Sequence, residues 1–270
     1  MEILKSDKSR FRTVDQLGQK IELGFPPRRI VSLVPSITET LFELGLGDNV
    51  VGRTRYCIHP KEHIDNLTVV GGTKKIVKDR LLKLQPDLVL ANKEENTKED
   101  VEWCAANFPT WISDVVDVKS ALAMIESIGE LTNRKEQAEK MSREIQVSFD
   151  NIHQPVSKPT CVYLIWKDPF MAAGSDTFIS NMLEVVGYHN ILRLSRYPTL
   201  TEQDIVDLKP DFVFLSTEPY RFTEQHVTES QHVFNNSKCA LVDGEMFSWY
   251  GSRMLKSADY FNRLQKQLSF

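Results

Sequence analysis

Four short stretches, three of them joining aromatic rings to polar or charged groups and one purely polar, set the chemistry this chain offers. RTRYCIHP (53–60) places Tyr56 and His59 where a ring can stack on a flat ligand or hydrogen-bond its edge, with Arg53 and Arg55 beside them to meet carboxylates. ANKEEN (91–96) presents Asn92, Lys93 and Glu94 directly after an apolar run, and IWKDPF (165–170) ends a second apolar run on Trp166 and Phe170. FSWYGSR (247–253) gathers Phe247, Trp249 and Tyr250 around a serine and closes on Gly251 and Arg253. Three such rings are costly to expose without use. Polar-tipped aromatics give flat apolar area and a directional hydrogen bond, which suits a large amphipathic molecule. A fifth candidate is Ser36 in RIVSLVPSITETLFELG (29–45), which reads as a helix N-cap with Glu39 completing a capping box. The N–H groups behind Pro35 and Ser36 suit an anionic or carbonyl group. Each candidate also has a plain structural reading, as surface loop, helix cap or core ring.

Enzyme signatures are scarce. There is no G-x-S-x-G elbow, P-loop or H-E-x-x-H, and GLGDNVVG (45–52) lacks the dinucleotide spacing. His59 and His63 are four apart, but Pro60 intervenes and no acid or thiol completes a set. No catalytic residue, metal site or resident cofactor is expected. The balance of 33 basic and 37 acidic residues gives −4 without a long basic stretch, which argues against nucleic acid as partner. The four cysteines, Cys57, Cys104, Cys161 and Cys239, are far apart and read as buried free thiols. No apolar run is long enough for a membrane span, and MEILKSDKSRFRT has no signal-like apolar region, so an export signal is not expected in this stretch.

The elements that must position these residues come in two similar halves. RLLKLQPDLVLA (80–91) matches DIVDLKPDFVFL (204–215): a short helix, Leu-x-Pro-Asp, then an apolar strand. Pro86 and Pro210 should end the helices, because the residue before proline is pushed out of the α region. Strand-then-helix also recurs, in Ile30–Val34 with its following helix and in VYLIW (162–166) with GSDTFISNMLEVVG (174–187), where Ser175 or Asp176 is a candidate cap. From 117 to 154, Ala121, Met124, Ile125, Ile128, Leu131, Ala138, Met141, Ile145 and Phe149 recur at helical spacing. This reads as one long connecting helix, with Gly129 or Thr132-Asn133 as points of interruption; such a connector favours small closure over a wide hinge. FRTVDQLGQKIEL reads as a β-hairpin around Leu17-Gly18. The expected class is α/β: two Rossmann-like lobes with mostly parallel sheets, joined by one long helix, with a ligand cleft between them. The expected bounds are 1–116 with the leading hairpin, 117–154 for the connector and 155–270.

PPRRIVSLVPSITETLFELGLGDNVVGRTRYCIHP, VGGTKK with LLKLQPDLVLANKEE, the long connector and DGEMFSWYGSR together resemble the helical-backbone class of substrate-binding proteins of ABC importers, over about residues 11–268. Among them the cobalamin-binding type is most similar, and its VG…Y…P loop aligns Tyr56 with a corrinoid-contacting tyrosine. Two tryptophans of that type are absent here, where GGTKK (71–75) and RYPT (196–199) stand.

The resemblance implies a binding protein for a metal chelate such as cobalamin, a ferric siderophore or haem, working as a monomer with an ABC transporter permease in the periplasm or cell envelope. The ligand contacts would come from Ser36, Tyr56, His59, Asn92, Glu94, Trp166, Phe170, Phe247, Trp249, Tyr250 and Arg253. It also implies one acid on each lobe for docking. Asp79 lies seven residues before Pro86 and Glu202 eight before Pro210, so Gln203 is the strict repeat match. An alternative on the same fold is a cytosolic binding protein, chaperone or enzyme of tetrapyrrole or metal metabolism.

Overall fold

The computed structural model describes residues 10–268. The expected outer bounds, residues 1 and 270, lie outside the described residues. The chain opens with the hairpin read from the sequence, β1 (Arg10–Val14) and β2 (Lys20–Gly24), paired antiparallel. Its turn is held by the Asp15 carboxylate, which accepts from the N–H groups of Leu17 and Gln19, while Gly18 supplies a positive φ. Then follow β3 (Ile30–Ser32), α1 (Pro35–Glu43), β4 (Val50–Arg53), α2 (Lys61–Ile64), β5 (Thr68–Val69) and a small hairpin of β6 (Gly71–Gly72) and β7 (Lys75–Ile76). The segment α3 (Lys78–Leu84), β8 (Leu88–Asn92), α4 (Lys98–Asn107), β9 (Thr110–Ser113) completes the first sheet. After α5 (Val118–Leu131) and α6 (Lys135–Asp150) come β10 (Thr160–Trp166), β11 (Phe170–Ala172), α7 (Phe178–Val186), β12 (His189–Asn190), β13 (Thr199–Leu200), α8 (Glu202–Leu208), β14 (Phe212–Ser216), α9 (Glu224–Val233), β15 (Lys238–Val242), α10 (Gly244–Ser248) and α11 (Met254–Leu268).

Two compact units result, each an α/β layer. Among the described residues, the first comprises 10–115, 119–144 and 250–252; the second comprises 116–118, 145–249 and 253–268. In the first, the sheet order is β5-β4-β3-β8-β9, all parallel. The chain runs from β3 outward through β4 to β5, then returns to β8 on the other side of β3. The crevice at the carboxyl ends of β3 and β8 is therefore a topological switch point. In the second, the order is β13-β11-β10-β14-β15, with β10, β14 and β15 parallel, β11 antiparallel to both of its neighbours β10 and β13, and β12 alongside the start of β10. Its switch point lies between β10 and β14. β8, β9 and β14 are buried along their whole length, as strands covered on both faces must be.

The connector differs from the single helix expected. It is two helices, because Asn133 takes a left-handed φ of 58° and Arg134 N–H reaches back to the Gly129 carbonyl, a Schellman-type stop. Gly129 is required there: a Cβ would lie 2.3 Å from that of Ala138. The caps also moved. α1 begins on Pro35 after Val34, with no side-chain cap, so Ser36 is inside the first turn rather than the N-cap. Proline fits that first position because its missing N–H would be unpaired anyway. α7 is capped by Thr177, not Ser175 or Asp176. All four cysteines are free and buried.

The Leu-x-Pro-Asp repeat has a physical function. Gln85 and Lys209, before the two prolines, both turn left-handed, at φ 45° and 49°. The next residue then latches the first strand of its unit. The Asp87 carboxylate accepts from the N–H groups of Arg28 (2.9 Å) and Arg29 (2.8 Å), just before β3. Asp211 accepts from the N–H and hydroxyl of Thr160, both at 2.7 Å, at the start of β10. Replacing Asp87 with Ala should lower folding stability by about 1–2 kcal/mol, with Asp87→Asn losing less because it keeps an acceptor. Urea unfolding measures this; an unchanged midpoint in Asp87→Ala would contradict the latch.

Candidate functional site

At the first switch point, three strand ends meet the C-terminal stretch. β3 leads to Ser36, β8 to Asn92–Asn96 and β9 to Ser113. Tyr250 is 6% exposed, with its hydroxyl facing Ser36 and Ser113. Burial raises its pKa well above the usual tyrosine range, and the nearby carboxyls of Glu95 and Glu94 add to this. The segment is seated by Gly251, whose φ is 93° and whose missing Cβ would sit 2.2 Å from Thr40 Oγ1. Ser252 N–H donates to that same hydroxyl at 3.0 Å. Burial likewise raises the pKa of Glu95; Lys74 partly offsets this and Glu94 adds to it.

Two amides build the loop. Asn92 is buried and donates to the Ser113 carbonyl and hydroxyl, while its oxygen accepts from the N–H groups of Glu94 and Glu95. Its donors and acceptor lone pairs are all engaged within the protein, so it shapes the loop rather than presenting a free polar tip. Asn96 accepts from Asn92 N–H and donates to the carbonyls of Leu33 and Thr73, tying three loops together. Sequence reading missed it; an asparagine four residues after a strand-ending asparagine was the available signal. Glu94 lies in the same loop, just past the end of β8.

Nearby, Tyr56 is 55% exposed and offers a ring face, and Gly72 leaves it room, since a Cβ there would lie 3.3 Å from the ring. His59 is in the same loop, before Pro60. Arg53, by contrast, is buried and donates to the carbonyls of Ile64 and Thr54, so it holds the loop's base. His63 stacks on Phe42. Among the described residues no cluster of His, Cys, Asp and Glu has a metal-holding arrangement.

At the second switch point, Trp166 ends β10 with 41% of its surface exposed. It meets Tyr220 edge-on, with ring centroids 5.5 Å apart, and Tyr220 arrives from the loop after β14. Tyr220 was missed from sequence because STEPY reads as an ordinary post-strand turn. Several expected contacts belong to packing instead. Phe247 is fully buried against Tyr163 and Phe261, with centroids 5.3 and 4.8 Å away. Phe170 lies against the apolar core of the second sheet and beside Phe234. Arg253 is buried, pairs with Glu245 at 3.1 Å and lies 5.1 Å over the Trp249 ring, which is only 8% exposed. The density of rings in FSWYGSR therefore marks core as well as site, since a short α10 must bury one face. Beside it Asp243 has its pKa raised by burial and by Glu245.

A family model described as periplasmic binding protein matches residues 30–238. The chain is 28% identical over 196 residues to a vitamin B12-binding protein of Photorhabdus laumondii, covering 70% of this chain and 71% of that one. It is 29% identical over 212 residues to an uncharacterized ABC transporter substrate-binding lipoprotein, YvrC, of Bacillus subtilis, covering 74% and 67%. Among solved structures, an ABC-type Fe3+-hydroxamate transport system protein from Saccharomonospora viridis has the same fold, with a TM-score of 0.74 at 18% identity over 96% of this chain and 99% of that one.

The raised Glu95 pKa has a signed consequence. Ionisation is disfavoured in the folded state, so the group's contribution is present below its unfolded-state pKa and is lost as pH rises through the folded-state value. Glu95→Gln should match the wild type in urea unfolding near pH 4 and exceed it near pH 8. A wild type that is the more stable protein at pH 8 would contradict this.

Proposed function

The chain belongs to the periplasmic binding protein family, and from that premise we propose that it is the substrate-binding component of an ABC importer for a large metal chelate, a corrinoid, ferric siderophore or haem. The family is one of binding proteins rather than enzymes. The observation that carries the reading is the content of the two switch points. One offers Ser36, Glu94, Tyr250 and the exposed ring of Tyr56; the other offers Trp166 and Tyr220. Open α/β sheets bind ligands at these edges, and ring faces with hydroxyl and carboxyl neighbours suit a broad conjugated or chelate surface edged with polar groups. The similarity to a vitamin B12-binding protein favours the corrinoid within this class. His59 joins the contact set through its loop. We place the protein in the cell envelope, by its family; among the described residues no helix is long and apolar enough to cross a membrane.

A thermal-shift panel of cyanocobalamin, cobinamide, haemin and a ferric hydroxamate tests the reading. A ligand that binds only the folded state at about 100 times its Kd adds roughly 2.7 kcal/mol to stability, so one class should raise the melting temperature by several degrees. No shift with any of them would overturn the reading.

The permease is the proposed protein partner, met through Asp79 and Glu202. Both are exposed, in the first turns of α3 and α8. In α8 the capping is done by Thr201 and Asp204, which leaves Glu202 with no capping duty. The double change Asp79→Ala, Glu202→Ala should leave chelate affinity unchanged and weaken association with the cognate permease, and salt should weaken the wild-type association. Permease binding as tight as wild type would assign these acids to the helix dipole alone.

A further inference from the structure

α9 begins with an unusual cap. In α8, Asp204 occupies the third helical position and its carboxylate accepts from the N–H of the capping Thr201 at 2.8 Å. In α9 the same position is His226, whose Nδ1 accepts from the N–H of Thr223 at 3.0 Å, with the Thr223 hydroxyl at 2.9 Å. A backbone N–H can only donate, so Nδ1 carries no proton. The neutral ring then has its proton on Nε2, which lies 3.3 Å from the hydroxyl of Tyr220. Aspartate at this position would cap the helix equally well but has no donor to direct at Tyr220. Histidine supplies both, from opposite sides of one ring.

The ring it reaches belongs to the second switch point. Tyr220 meets Trp166 edge-on, packs against Phe222 at 4.7 Å between centroids, and its N–H donates to the Ile165 carbonyl. A second tie runs parallel to the first: Lys167, next to Trp166, pairs at 2.9 Å with Glu229, one turn along α9 from His226, and Gln225 donates to the same carboxylate. Helix α9 thus grips the Trp166 loop at one point and the Tyr220 loop at another.

We propose that His226, in its Nε2–H tautomer, is a positioning residue that holds Tyr220 as the second half of a ligand-contacting aromatic pair with Trp166. The contact role rests on the metal-chelate reading above; the positioning role does not. An edge-to-face pair with one ring about 40% exposed presents an L-shaped apolar surface, to which a flat conjugated ring system or the apolar flank of a chelate can pack.

The test has one arm without ligand and one with it. In ligand-free protein near pH 8, long-range nitrogen–proton spectra of the imidazoles, with His226 assigned by its loss in His226→Asp, should show Nε2 protonated and Nδ1 bare. His226→Asp should keep the melting temperature, because aspartate restores the cap, yet make Trp166 more open to acrylamide quenching, with Trp166→Phe identifying that emission. In the second arm, the chelates of the thermal-shift panel are titrated. On any that binds, Tyr220→Ala should weaken affinity by about tenfold, an aromatic contact's worth, and His226→Asp by severalfold. A proton on Nδ1, or unchanged quenching in His226→Asp, overturns the positioning role. Wild-type affinity in Tyr220→Ala overturns the contact role. Failure of every chelate to bind wild type overturns the chelate reading and the contact role together, while the spectra and quenching still decide the positioning role.

Discussion

Two carboxylates fix where each half of this protein begins. Asp87 and Asp211 take up the N–H groups at the entry to β3 and β10, the strands around which both sheets change direction. The proline before each aspartate ends a helix and sends the chain into the next strand; the left-handed residue before the proline supplies the turn. In each half, then, one Pro-Asp pair sets the relation of two neighbouring parallel strands, β3 with β8 and β10 with β14. Those neighbours bracket the two switch points. The register of the strands decides which residues emerge at the carboxyl edge, so the site depends on a contact made at the opposite end of the sheet.

At that edge the first unit solves a problem of buried polarity. Carboxyl groups near a buried tyrosine hydroxyl are unfavourable unless the surrounding backbone is well satisfied. Asn92 and Asn96 do this by binding six backbone groups of the strand ends and adjoining loops, together with the Ser113 hydroxyl. The upward pKa shifts of Glu95 and Tyr250 record the remaining cost of burial. The second unit uses rings instead: the Trp166–Tyr220 pair is held by its own loops and by α9.

Much of the architecture was legible because it rests on local rules. The hairpin, the helix stops at Pro86 and Pro210, the buried strands and the two-sheet plan all follow from turn chemistry and apolar patterning. The connector's break was visible as Thr132-Asn133, but apolar spacing alone favours continuity. Site residues were less legible, since a residue's type does not reveal its partners. Asn92 and Arg253 carry the polar groups a ligand would need, yet both are engaged within the protein. Phe247 has the composition of a contact and the burial of a core. Tyr220 and His226 were passed over because their significance lies in a pairing six residues apart that only the fold of the loop creates. The family resemblance, carried by motifs along nearly the whole chain, reached further than any single residue.

The central claim is that ligand meets this protein at the carboxyl edges of both sheets. Amide hydrogen exchange, with and without the chelate that stabilises the protein, tests it most directly. The account predicts slowed exchange in 34–38, 93–96 and 113–115 of the first unit and in 166–168 and 217–222 of the second, with little change around Asp87, Asp211 and the amino ends of the strands. Protection confined to one unit, or concentrated at the amino ends, would contradict it.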